Sequence, residues 1–370
     1  MAPRSGACHP MPAFDALAVH LDRLTRPAGG YLAAGLARIG PDGAEDARAF
    51  GRVAPGGKPF DDPTLRMRMA SVSKAATARA VVATAPDLGA DLRDLLDWDR
   101  PAGLTLDRLL SHTSGLADHA GYVVDPPGSV TAFVDAQPAA RPGPVGFFRY
   151  ANLGYVLLGM ALERIAGRRF DAVLREAVLE PAGIGGGFNW AGVAERRPLP
   201  MWQRRGARLT LEADGPDADW GAPLIWRGGA GVALGGYRLG RDTTWFSPHA
   251  GLRMSVVEAA RLARLLASDD EAGRAQRRVR WRFDGTNGED CGGLFTAFGA
   301  GVTLYDGHPR IPGPLVGHGG HALGFTGGAW ANMATEEAWA YALTGSADLT
   351  EGSDQEAFYA PEEAAVMAWL

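Results

Sequence analysis

Met69-Ala70-Ser71-Val72-Ser73-Lys74-Ala75-Ala76-Thr77 places a serine and a lysine three residues apart in a run rich in alanine and valine. Such a run predicts a helix over 71–84, and residues i and i+3 of a helix stand on one face, about a turn apart. Ser71 and Lys74 then touch. A serine hydroxyl is a poor nucleophile at neutral pH and needs a neighbour to activate it. Lysine is one of the partners able to do so. The first turn of a helix also leaves N–H groups unpaired, so the Ser71 amide can hold a developing oxyanion. An N-capping serine beside a solvated lysine has the same spacing, so the choice rests on the remaining sequence.

That remainder is 370 residues long, enough for two domains or one large domain with an inserted subdomain. It is 46% hydrophobic and 21% charged, with a net charge of −5, a globular composition with no basic footprint for nucleic acid. No apolar stretch approaches the roughly 20 residues of a membrane span. Cys8 and Cys291 stand far apart, which gives neither a disulfide framework nor a Cys-rich metal site and favours free thiols. Residues 1–8 lack the apolar region of a secretory signal, so the expected location is cytoplasmic, or periplasmic or secreted if a leader was removed.

Upstream of Ser71, apolar residues at helical spacing predict a helix over 12–25. Segments 31–39 and 44–53 flank Gly40-Pro41-Asp42-Gly43 as a hairpin, and a short strand is expected at 65–69. Downstream, short helices are expected over 87–98 and 104–110, leading into Leu109-Leu110-Ser111-His112-Thr113-Ser114-Gly115-Leu116. Ser111, His112 and Ser114 there read as turn and capping residues rather than a second catalytic set. Residues 117–146 read as a loop with one helix at 130–135. Tyr150 and Asn152 stand at the start of a helix running to 165, where side chains can project into a cleft, and another helix is expected over 169–179. Residues 185–250 read as irregular, with one or two of Trp190, Trp202, Trp220, Trp226 and Trp245 lining a pocket. A helix over 255–266 follows, then strands over 298–305, 315–319, 325–331 and 338–344 and a closing helix over 361–370. Strands at both ends of a helical middle predict an α+β fold. Its antiparallel sheet is flanked by N- and C-terminal helices and carries an all-helical lobe. The expected division is 12–70 and 251–370 for the two parts of the sheet domain, and 71–250 for the mainly helical lobe.

Taken together, Ser71-Val72-Ser73-Lys74, Tyr150-Ala151-Asn152 and Gly317-His318-Gly319-Gly320 resemble, in order and in wide spacing, the motifs of the serine β-lactamase and penicillin-binding-protein superfamily. The resemblance is to its class C-like branch, with D,D-carboxypeptidase, D-aminopeptidase and esterase relatives, and runs from about residue 12 to the C-terminus. The Leu109–Leu116 and Gly317–Gly328 stretches support it. It implies a Ser71 acyl-enzyme, Lys74 as its electrostatic partner and Tyr150 as general base and later proton donor. Asn152, His318, Gly319, Gly320 and His321 then bind substrate, with the His321 N–H joining that of Ser71 at the oxyanion. It implies no cofactor and no metal, and a small ester, amide or peptide as partner. Oligomeric state is left open.

The energetics allow those roles. A tyrosine must fall about three pH units to act as a base near neutrality, roughly 4 kcal/mol, and one ammonium about 4 Å away supplies roughly that much at an effective dielectric near 20. His318-Gly319-Gly320 departs from the Lys-Thr-Gly that many β-lactamases and penicillin-binding proteins carry. Without that fixed cation and hydroxyl, β-lactams and peptidoglycan stems are disfavoured and an esterase or amidase with a neutral acyl substrate is expected. His318 would then grip a carboxylate only on the acid side of its ordinary pKa near 6.5. The function expected is a serine acyl hydrolase. An acyltransferase of the same fold is the alternative, and a catalytically silent binding or filament-forming homologue is a further one.

Overall fold

A helix, α1 (Ala13–Leu24), opens the computed structural model, which describes residues 13–370 except 100–102, 120, 123, 125–128, 138–142, 216–223, 228–229, 309–310, 312 and 348–360. Phe14, Leu17, Ala18 and Leu21 recur at the three- and four-residue spacing of one helix face and are buried. A hairpin follows, β1 (Ala33–Ile39) and β2 (Glu45–Gly51). Its turn is tight because Gly43 takes φ 84° and the Gly40 N–H reaches Ala44 O at 2.9 Å. A two-residue strand, β3 (Met67–Arg68), shorter than the expected 65–69, feeds a 3-10 turn at Ala70–Val72 and then α2 (Ser73–Thr84).

The helical middle comprises α3 (Leu92–Leu95), α4 (Leu106–Leu110), α5 (Val130–Ala136), α6 (Asn152–Ala166) and α7 (Phe170–Leu174), the last continuing as a π turn over Arg175–Leu179. The helix expected over 87–98 shrinks to one turn. Asp87 accepts the Gly89 N–H at 2.8 Å, and Asp91 caps the turn at Arg93 N (2.9 Å), so two short acidic side chains hold the preceding backbone out of helix. The stretch expected to be irregular contains β4 (Gly187–Phe188) and two hairpins. These are β5 (Met201–Arg205) with β6 (Arg208–Ala213), and β7 (Leu224–Arg227) with β8 (Ala230–Ala233). Beyond them β9 (Leu252–Met254) pairs antiparallel with both β3 and β4, setting Arg68 and Gly187 opposite Arg253 on its two sides.

Helix α8 (Val256–Leu266) starts at a complete capping box, Ser255 with Glu258. Then come α9 (Glu271–Arg277), β10 (Trp281–Arg282), β11 (Ala297–Phe298), β12 (Thr303–Tyr305), β13 (Leu315–Ala322), β14 (Phe325–Asn332), β15 (Ala338–Thr344) and α10 (Pro361–Met367). The single strand expected over 298–305 is two strands joined by a turn, with Gly299 N bonded to Val302 O at 2.9 Å and Gly301 at φ 66°.

Eight strands form one antiparallel sheet in the order β10-β11-β12-β13-β14-β15-β1-β2, so the two ends of the chain meet at the β15–β1 pair. Side-chain alternation along β1 and β15 divides the core. Ala34, Leu36, Trp339, Tyr341 and Leu343 join Phe14, Leu17 and Leu21 of α1 and Val366 and Met367 of α10. Ala33, Ala37, Ala338, Ala340 and Ala342 face the larger core that contains α8 and α2. Small residues on that face let α8 approach closely: a Cβ on Gly35 would lie 2.8 Å from Val256 Cγ1. Each buried leucine of the α1 face is worth roughly 1.5–3 kcal/mol. The fold is α+β, an antiparallel sheet flanked by N- and C-terminal helices with a helical lobe, as the sequence predicts.

Candidate active site

The turn between β3 and α2 exposes Ser71 by bending sharply. Ala70 takes φ 43°, a left-handed conformation that costs a non-glycine residue of order 1–3 kcal/mol and clusters at functional sites. Ser71 is half-buried, whereas Lys74, one turn on, is fully buried. Lys74 Nζ lies 3.0 Å from Ser71 Oγ, 2.6 Å from Asn152 Oδ1 and 3.1 Å from the His249 carbonyl; as an ammonium it donates one proton to each, and as a neutral amine it can accept from Ser71 Oγ instead. Burial lowers its pKa to about 7; Asp118 works against that fall and Arg68 adds to it. An amine so placed exchanges a proton near neutrality.

Asn152 is held in turn by Asp118, which accepts from Asn152 N and Nδ2, both at 2.8 Å, and from Leu153 N at 3.0 Å. Asn152 is thus not the N-cap of α6; Asp118 caps the helix from outside and fixes the amide so that Oδ1 faces Lys74. Asp118 stands two residues beyond the Leu109–Leu116 stretch, but a lone carboxylate in a loop carries no pattern by which the sequence reveals its role. His249 was equally illegible, since it contributes its carbonyl and any residue has one.

Tyr150 packs its ring 4.9 Å from Lys74 Nζ and stacks on Phe295. Its hydroxyl lies 3.4 Å from His318 Nε2. His318 Nδ1 sits 2.5 Å from the Gly319 carbonyl, which can only accept, so Nδ1 carries the proton and Nε2 is left to accept from Tyr150. Burial, with Lys74 adding to it, pushes the His318 pKa down to about 3. The expectation of an imidazole that charges between pH 5.5 and 8 is therefore corrected: His318 is neutral across that range. His112 plays the structural part expected of it. Its Nδ1 accepts the Ala151 N–H at 3.1 Å, its carbonyl accepts Arg149 N–H at 2.8 Å, and its ring lies 4.3 Å from that of Tyr150. Ser73 Oγ is spent on Leu252 N at 3.0 Å, and Ser111 Oγ on Asp107 O at 2.8 Å.

Strand β13 runs against the nucleophile turn. A Cβ on Gly320 would lie 3.1 Å from Ser71 N and 2.9 Å from Met69 O, so only glycine lets the strand come this close. Ser71, Asn152 and His321 line one cleft of about 410 Å³, whose other walls include Arg68, Tyr122, Asp214, His249 and Arg253. Tyr150, His318 and Gly319 line a separate small cavity instead. Trp190, Trp202 and Trp245 do not line the cleft. The first is core, with its Nε1 on Asp214 at 2.9 Å, and the second donates to the Val53 carbonyl at 3.1 Å. Trp220 lies outside the described residues. The aromatic wall is Tyr122, whose ring meets His249 edge-on at 4.9 Å. Among the described residues no cluster of three or more His, Cys, Asp or Glu side chains could hold a metal ion, and no helix is long and apolar enough to cross a membrane.

The family model for "Beta-lactamase" matches residues 28–362. The chain belongs to the beta-lactamase family. Family membership fits the order of the three motifs along the chain. Penicillin-binding protein 4* of Bacillus subtilis (strain 168) is 29% identical over 145 residues, 36% of this chain and 31% of that protein. The chain therefore spans only about a third of this curated relative's length. D-amino acid amidase from Ochrobactrum anthropi SV3, complexed with L-phenylalanine, superimposes at TM-score 0.70 with 18% identity, covering 95% of this chain and 97% of that one. The beta-lactamase/D-alanine carboxypeptidase from Yersinia pestis does so at 0.66 with 19% identity, covering 96% and 97%. At these identities the likeness is one of fold.

Proposed function

We propose that this beta-lactamase family member is an acyl hydrolase that cleaves esters or amides through a Ser71 acyl-enzyme. The observation that carries it is the buried Lys74 amine, 3.0 Å from Ser71 Oγ and lowered to about 7. The Lys74–Tyr150 pair takes the Ser71 proton as Oγ attacks the carbonyl carbon, Lys74 being the member in contact with Oγ. The Ser71 and His321 N–H groups hold the resulting oxyanion. The pair returns the proton to the leaving alcohol or amine, and water releases the acyl group by the same steps reversed. Asn152, fixed by Asp118, keeps Lys74 aimed and offers its amide to the substrate. The names of the relatives, an amidase and a carboxypeptidase among them, support amide and peptide substrates alongside esters.

A fluorophosphonate probe and a set of 4-nitrophenyl esters test this. Ester turnover and a single covalent adduct on Ser71 are expected, both lost in Ser71→Ala. An adduct mapped to Ser73 or Ser111 would overturn the assignment.

A further inference from the structure

Among the described residues, Arg68 is a cation of the cleft with no hydrogen-bonded counter-ion. Strand pairing sets it directly opposite Arg253, and like charges in that position repel. Arg253 is compensated: Asp214 accepts from its Nε and Nη2, each at 3.2 Å, and Asn189 and the Gly251 carbonyl take Nη1. Asp214 also accepts the Trp190 indole N–H, so its two oxygens are occupied. Glu212, on the same wall, pairs with Arg205 at 3.1 Å. Among the described residues no acceptor hydrogen-bonds the Arg68 guanidinium, although it is only partly exposed. Burial and Arg253 lower its pKa to about 10, against weaker support from Asp214, so at neutral pH it is a strained but intact cation. A guanidinium is built for two parallel bonds to a carboxylate.

Arg68 lines the same cleft of about 410 Å³ as Ser71, and Tyr150, the proton donor to the leaving group, is not among the residues lining it. We propose that Arg68 anchors an anionic group on the acyl part of the substrate, so that the enzyme selects esters or amides of acids carrying a second carboxylate. This rests on the acyl-enzyme reading above. It replaces the neutral acyl substrate expected from the missing Lys-Thr-Gly: the cation lies three residues before the nucleophile. It also disfavours acyl groups bearing an ammonium.

The test uses three 4-nitrophenyl esters of equal length: the adipic half-ester, its neutral ω-amide and the 6-aminohexanoic ester. In the unmodified protein kcat/KM should fall in that order, with the carboxylate-to-amide ratio dropping as salt is raised. Arg68→Gln should lower that ratio about 10- to 100-fold, as for a charge-assisted hydrogen bond, and Arg68→Lys should keep part of it. A ratio near one in the unmodified protein, or one unchanged in Arg68→Gln, would overturn the proposal. Adipate binding to Ser71→Ala, followed by calorimetry, separates the two readings. If no ester is turned over, the acyl-enzyme reading falls; adipate binding that vanishes in Ser71→Ala/Arg68→Gln then still upholds the anchor, and equal binding rejects it.

Discussion

At the scale of single residues, protons decide the outcome. Lys74 is the group whose state changes near neutrality, so turnover should rise with pH along an acid limb centred near 7, and Lys74→Ala should abolish the limb together with at least 100-fold of the rate. Asp118 is the charge holding that pKa up, so Asp118→Asn should move the limb to lower pH while reducing turnover through the loosened Asn152. A limb that stays in place in Asp118→Asn would show that Lys74 is not the titrating group. His318 behaves differently. Held near 3, it is uncharged wherever Lys74 titrates, and His318→Gln should leave the position of the limb unchanged between pH 5.5 and 8. Burial at this position could not be read from the letters Gly-His-Gly-Gly, which is why the sequence suggests a titratable anchor and the structure a neutral one.

At the scale of elements, the site depends on how closely β13 and the Ala70–Val72 turn approach. Gly320→Ala would put a methyl 2.9 Å from Met69 O and 3.1 Å from Ser71 N, forcing the strand away from the amide that is to hold the oxyanion. The expected loss in kcat is about 10²–10³-fold, the cost of one oxyanion donor, with KM for a small ester little changed. Unchanged kcat in a folded Gly320→Ala protein would remove β13 from the reaction. Elements with strong periodicity or turn signals were legible in the sequence: α1 and α8 by their apolar faces, the β1–β2 hairpin by its Gly40–Gly43 turn. The strands β14 and β15 were legible because apolar runs of that length between turns have few alternatives. The β5–β6 hairpin was not: Arg208–Ala213 alternates polar with apolar residues, but Met201–Arg205 does not, and the turn between them has a single glycine, Gly206. That hairpin leads to Asp214, so the partner of Arg253, and with it the imbalance at Arg68, was hidden. The helix α9 was missed for a related reason: Glu271–Arg277 has almost no apolar residues, and its start is marked only by Asp270 accepting Gly273 N at 2.7 Å.

At the scale of the whole molecule, the site is a junction of distant segments, and its histidines tie its chemistry to its stability. His112 follows α4, His249 precedes β9 and His318 lies on β13, and all three are buried with their pKa values lowered, chiefly by loss of solvation and next by the charge of Lys74. A histidine held neutral in the fold binds fewer protons than it does unfolded, so its contribution is complete above about 6.5 and is lost as pH falls toward the folded value. Each such group changes stability by up to about 1.4 kcal/mol per pH unit in that window. Glu163 acts in the opposite direction. Burial raises its pKa although Phe170 N, Tyr237, Gly240 N and Thr243 all donate to it, but it is one group against three. The lowered carboxylates, Glu45, Asp62, Glu176, Asp242, Asp270 and Asp284, lose their stabilising charge mainly in more acidic solution, so most of the change from 6.5 to 5 belongs to the histidines. Lys74 extends the slope upward: depressed to about 7 in the fold, it makes stability rise further between pH 7 and about 10.5. The midpoint of thermal unfolding should therefore climb from pH 4.5 to 6.5 and again above 7, and Lys74→Met should flatten the upper part and, by removing a charge that helps keep the imidazoles neutral, lessen the lower one. A midpoint that is level from 4.5 to 6.5 would mean the three imidazoles reach solvent, and the low pKa assigned to His318 would fall with it.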